Sequence, residues 1–151
     1  MAVFRVNLFS NFENAMQRRA FSAPSKTNSV FLDYNDISKW SELEKIKKGN
    51  LLLLCRNIDY IWAVGFASQD CHITDVDSFR EDMTYELQGN RYVNFEVYRE
   101  LHTPVDGRIF FEGLLQNRPF EDYFLCIKLE PEKKLKNEFE NAINFLLESI
   151  A

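Results

Sequence analysis

The sequence predicts an α+β domain: a small, curled, mixed and largely antiparallel sheet, barrel-like, with helices packed on its outside. Three observations predict it. Leu51-Leu52-Leu53-Leu54-Cys55 is an unbroken apolar run between Gly49-Asn50 and a polar turn, which marks a strand buried on both faces. Tyr60 to Ser68 follows that turn as a hairpin partner. Leu135, Phe139, Ala142, Ile143, Leu146 and Leu147 recur at helical spacing near the end of the chain and need a sheet to pack on.

The remaining elements follow in chain order. Val3 to Phe9 alternates apolar and polar residues, as a half-buried strand does. Ser10 or Asn11 then caps a helix running to about Phe21, with Glu13 and Asn14 in its first turn. Ser22 to Ser29 is a loop by composition, and Val30 to Tyr34 reads as a short strand or extended segment. Asp36 or Ser38 opens a second helix whose apolar stripe is Ile37, Trp40, Leu43 and Ile46, ended at Gly49 by a left-handed cap. Gln69 to Glu86 is acidic and aperiodic, the end of a strand and a long loop. Arg91 to Leu101 alternates as a strand that Pro104 breaks, and Phe110 to Gln116 is a short helix stopped by Asn117-Arg118-Pro119. Tyr123 to Leu129 is the last strand, with Pro131 in the first turn of the final helix. With no repeat and no linker, residues 1–151 read as one domain.

Composition narrows the function classes. A hydrophobic content of 46% against 27% charged residues specifies an ordered globule rather than a disordered chain. A net charge of −5 argues against a strong non-specific nucleic-acid binder, though not against a weak domain that reads one base while partner subunits contact phosphate. Three cysteines, Cys55, Cys71 and Cys126, without CxxC spacing suit a reduced, cytoplasmic protein. His72 and His102 lie far apart in sequence, so no metal site is expected, and no cofactor is implied. No apolar stretch is long enough to span a membrane, and the N-terminus lacks a signal pattern. A Walker loop, GxSxG, HExxH and GxGxxG are all absent, so no enzyme chemistry is expected of the domain.

The order and spacing of these elements resemble the PUA-like superfamily, in particular its EVE and YTH branches. The resemblance rests on Phe31 ahead of a helix, then Gly49-Asn50, the Leu51–Leu54 strand, and a hairpin strand ending Val64-Gly65-Phe66-Ala67. Phe31 stands where EVE domains carry tryptophan, and Asn50 where they carry aspartate. Phe4-Arg5-Val6-Asn7 leading to Asn11 and Asn14 is similar to a YTH opening, and Asn94–Val97 with Thr103–Asp106 to the later strand and its turn. The acidic 70–86 segment has no counterpart in the pattern.

Similar modules stand at the N-terminus of McrB-type restriction proteins, where they read methylated DNA. The resemblance therefore implies a non-enzymatic reader of a modified base in DNA, flipped into an aromatic pocket, within a modification-dependent restriction system and alongside its other subunits. It also leaves open that the chain is the N-terminal module of a larger protein. An RNA-binding PUA-like module and a protein-interaction domain are the alternatives; the acidic pI favours the last.

A base pocket needs aromatic faces and a few polar groups for the base's edge. The candidates are Phe31, Tyr34, Trp62 and Tyr60 for stacking, with Asn7 and Asp33 for the edge. Arg18, Arg19, Lys26 and Arg56 are the candidates for phosphate. The competing structural roles are core packing for Phe31 and Trp62 and capping for the polar residues.

Overall fold

The computed structural model describes residues 2–7, 28–33, 42–56, 59–73, 89–116, 119–120 and 126–148. They form a seven-stranded mixed sheet. Its strands are β1 (Val3–Asn7), β2 (Asn28–Asp33), β3 (Leu51–Arg56), β4 (Tyr60–Ala67), β5 (His72–Ile73), β6 (Gly89–Asp106) and β7 (Cys126–Lys128). Among the described residues it is accompanied by α1 (Gly107–Phe110), a single turn, and α2 (Lys136–Glu148). The strand order is β2-β6-β4-β3-β1-β7, with β5 beside β6. β1 and β3 are parallel and the other pairs antiparallel. The path ends on β2 and β7, so the curled sheet does not close.

β3 sits between β1 and β4, and Leu51 to Cys55 are all 0% exposed. That is the reason for its unbroken apolar run: both faces are covered, so neither tolerates a polar residue. Leu52 and Leu54 join Phe4, Val6, Ala63, Val93 and Phe95 in the core inside the curl. Leu51, Leu53 and Cys55 join Val3, Ile61, Val64, Phe111, Phe139, Ile143 and Leu146 in a second core under α1 and α2. Each fully buried Leu or Phe contributes about 1.5–3 kcal/mol by leaving water. Two cores on opposite faces of one sheet make β3 the structural centre.

The segment before β3 departs from the sequence expectation. Where residues 42–48 were expected to end a helix, they form a single 3₁₀ turn over Leu43–Lys45. Leu43 and Ile46 are both fully buried and roof the inner core. Their three-residue spacing suits a 3₁₀ turn as well as it suits an α-helix, so the pattern located the buried positions without fixing the helix type. Gly49 does take the left-handed conformation, at φ +88°. It does so inside a turn in which Asn50 N–H donates to the Lys47 carbonyl at 3.0 Å. The Asn50 side-chain oxygen accepts back from Lys47 N–H at 2.9 Å. An aspartate carboxylate would accept the same bond, so asparagine at this place of the motif preserves its chemistry.

Three further departures concern prolines and caps. β6 runs on through Pro104. Between the pairs Ala63↔Glu100 and Ile61↔Val105 the register slips, and Pro104 lies in that bulge, where no ladder N–H is required of it. The short helix begins at Gly107 rather than Phe110, because Asp106 accepts a hydrogen bond from Arg108 N–H and caps it. Pro131 precedes the final helix, in an isolated bridge to Leu115.

At the β7 end the sheet edge is covered. Glu42 N–H donates to the Cys126 carbonyl at 2.8 Å, and the Glu42 carboxylate accepts from Lys128 N–H at 3.0 Å. One residue thus satisfies an outward carbonyl and an outward N–H of an edge strand that could otherwise pair with another chain.

Candidate functional site

Tyr60, Trp62, Arg56 and Asn7 converge on one end of the sheet. Arg56 pairs with Tyr60 across the β3–β4 turn, and Asn7 pairs with Cys55, the residue before Arg56. Tyr60 is 41% exposed. Ile61 packs in the helix-covered core, so alternation puts Tyr60 on the other face, that of the curl's interior.

Trp62 occupies the irregular position. In the β3–β4 ladder Leu54 pairs with Ala63 and Cys55 with Ile61, so Trp62 has no register partner on β3. In the β4–β6 ladder the partners jump from Glu100 to Val105 across the same residue. Ile61 and Ala63 would share a face in a regular strand; here they belong to opposite cores. A bulge of this kind turns one side chain off the pleat and opens the ladder locally. Trp62 remains half-buried there.

The same end carries charge that sequence reading did not single out. Arg108 bridges two carboxylates, with 3.0 Å to Asp106 and 3.4 Å to Asp59. The side-chain hydrogen bond from Arg108 is the main cause holding the Asp106 carboxyl below its ordinary value. Asp59 and Arg108 are remote in sequence; the only local signal was an Asp before Gly107 as a helix cap.

Phe31 and Asp33 lie elsewhere. Phe31 pairs with Tyr92 of β6, and Tyr92 pairs on its other side with His72 of β5. His72, Tyr92 and Phe31 therefore form one row across three strands. Asp33 follows a bulge after Leu32 and pairs with Gly89. These residues pair with the first part of β6, whereas Tyr60 pairs with its last residue, Asp106. Sequence reasoning missed Tyr92 and His72, since strand alternation says nothing about which strands become neighbours. Tyr34, Arg18, Arg19 and Lys26 lie outside the described residues.

Two other features bear on chemistry. A groove of about 650 Å³ runs between the start of β1, the end of β7 and α2, lined by Val3, Lys128, Leu129, Phe139 and Ile143 among others. It holds none of the residues the sequence nominated. Burial pushes the Cys55 thiol far above its ordinary value, partly offset by the nearby Arg5 guanidinium, so it is inert as a nucleophile. Among the described residues no group of three His, Cys, Asp or Glu is placed to hold a metal ion. No helix among them is long and apolar enough to cross a membrane.

The fold these elements make is YTH-like. It is similar to the YTH domain of the Zygosaccharomyces rouxii MRB1 protein, solved in complex with N6-methyladenosine RNA. The TM-score is 0.57 at 12% identity, over 99% of this chain and 88% of that one. It is also similar to Rpa0253 from Rhodopseudomonas palustris, solved by NMR, with a TM-score of 0.53 at 9% identity over 100% and 97%. No protein-family model matches the sequence, and no curated protein matches it.

Proposed function

We propose that this domain is a non-enzymatic reader of a methylated nucleobase. The observation that carries the reading is its YTH-like architecture, shared with a domain solved on N6-methyladenosine RNA. The backbone register that pairs Phe31 with Tyr92, and Tyr92 with His72, supports it, because a flipped or unpaired base is held by stacking on aromatic residues. Phe31 and Tyr34 line the pocket in this reading and Asp33 meets the base's edge, while Asn7, Trp62 and Tyr60, at the other end of the sheet, contact flanking nucleotide. Arg18, Arg19, Lys26 and Arg56 meet phosphate. A caged methyl group contributes on the order of 1 kcal/mol, about fivefold in affinity, so polar contacts to the base edge must supply the rest.

Two polymers fit. Duplex DNA with the base flipped out, within a modification-dependent restriction system, is favoured by the resemblance of Phe31, Gly49-Asn50 and Val64–Ala67 to McrB-type modules. Methylated RNA is favoured by the ligand of the Zygosaccharomyces neighbour. A low-salt titration tests both: duplexes unmodified, with N6-methyladenine, and with C5-methyl- or hydroxymethylcytosine, beside single-stranded RNA with and without N6-methyladenosine. Selective binding to one modified probe, abolished by Phe31→Ala, is expected. Loss on Trp62→Ala with Phe31→Ala silent would move the pocket to the β4 bulge. Binding to no probe at low salt, where electrostatic attraction is greatest, would overturn the reading.

A further inference from the structure

Where α1 meets α2, large apolar side chains face solvent. Ile109 is 70% exposed and Phe145 is 59% exposed. Phe110, next to Ile109 in sequence, brings its ring centroid to 5.9 Å from that of Phe145. Phe110 in turn meets Phe111, a fully buried member of the helix-covered core, edge to face at 5.0 Å. The patch is thus braced from below. A single exposed apolar residue is ordinary, but Phe145 packed on Phe110 over a stack continuous with the core, with Ile109 exposed on the same helical turn as Phe110, makes an anchor site.

Among the described residues the charged groups beside this patch are carboxylates, apart from Arg108. On α2, Glu138, Asn141, Phe145 and Glu148 succeed one another at helical spacing and are all exposed. On the other side Glu112 follows Ile109 in the turn after α1, its N–H donating to the Ile109 carbonyl at 3.2 Å. Among the described residues none of Glu112, Glu138 and Glu148 makes an ion pair. The adjacent cation, Arg108, is occupied by Asp59 and Asp106.

Charge decides the occupant. A nucleic acid or an anionic bilayer would bring phosphate against three carboxylates. A second copy related by a two-fold axis would oppose the same carboxylates to themselves. A polypeptide with a large apolar anchor and flanking lysine or arginine satisfies both the patch and its rim. We propose that the Ile109–Phe110–Phe145 face docks such a basic, apolar-anchored segment of a protein partner.

The test uses the whole chain and two synthetic amphipathic peptides, one built of Leu and Lys and its charge inverse of Leu and Glu, followed by fluorescence anisotropy. The Leu/Lys peptide should bind, weakening as salt rises, and the Leu/Glu peptide should not. Phe145→Ser leaves the charge unchanged and should weaken binding by roughly tenfold or more, as loss of a central aromatic anchor does. The double variant Glu112→Lys, Glu148→Lys should reverse the preference between the peptides. Equal binding by Phe145→Ser and the parent would show diffuse charge attraction and overturn the proposal. So would no binding by the parent, or a dimer that Phe145→Ser dissociates.

Discussion

Gly65 is the residue whose replacement the structure prices most directly. It stands on β4 between β3 and β6, paired with Leu52 on one side and Val97 on the other. A Cβ added there would lie 2.6 Å from the Glu96 carbonyl oxygen and 3.3 Å from Phe95 Cδ2. Close carbon–oxygen contacts settle near 3.3–3.6 Å, so β6 must retreat by roughly 0.7–1 Å. The oxygen belongs to the backbone of the neighbouring strand and Phe95 is 0% exposed, so neither can swing aside. Overpacking of this kind costs about 1–3 kcal/mol, and a backbone obstacle puts Gly65→Ala in the upper part of that range, about 2–3 kcal/mol. For a chain of this size the melting temperature should fall by about 4–12 °C. Gly49→Ala is the internal control. Its Cβ would meet nothing within 4 Å, so only the positive φ of +88° resists it, at about 1 kcal/mol. Asparagine should largely restore stability at Gly49, since it tolerates that conformation, and should be worse than alanine at Gly65. Urea and thermal unfolding by far-UV circular dichroism measure all four variants. A Gly65→Ala protein no less stable than Gly49→Ala would refute the reasoning.

Other expectations concern charge and thiols. Arg5 is 0% exposed and donates to the Phe120 carbonyl at 2.8 Å, so Arg5→Ala should cost about 2–4 kcal/mol and lower the urea midpoint. Arg5→Met, of similar length but unable to donate, separates loss of packing from loss of the bond; equal stability of Arg5→Met and the parent would mean that the polar contacts of Arg5 only offset the cost of burying its charge. Asp106 titrates below its ordinary value of 3.8 in the fold, so its contribution is complete above that pH and is lost as pH falls beneath it. Asp106→Asn should therefore flatten the loss of stability on acidification below about pH 4, and an unchanged slope would deny the role given to Arg108. Cys71 is half-buried whereas Cys55 and Cys126 are buried, so iodoacetamide at pH 8 should modify Cys71 first. Labelling of Cys55 at a comparable rate in the native protein would contradict its packing.

The sequence by itself determined most of the local grammar. The run Leu51–Cys55, the residues Ile61, Ala63, Val64 and Ala67 of the hairpin return and the stripe Phe139–Ile143–Leu146 all proved to be core, because burial is a demand that each position expresses in its own side chain. Gly49-Asn50 was legible as punctuation, since a left-handed turn needs those residue types. The curled mixed sheet followed from the element order. Other features were decided by tertiary structure alone. Leu43 and Ile46 were visible as buried, but a 3₁₀ turn and an α-helix share that spacing, and packing under the curl chose between them. Pro104 reads locally as a break, yet β6 continues because a bulge opposite Trp62 relieves it of a ladder bond. Gly65 reads as part of a motif, and only the approach of Glu96 explains it. The candidate site divided in the same way. Phe31 and Tyr60 could each be nominated from residue type and position. That Phe31 shares a row with Tyr92 and His72, while Tyr60 stands with Arg56 and Asp106 at the far end of β6, depends on strand register. Register is a contact between distant parts of the chain, and it leaves no periodic trace in either strand.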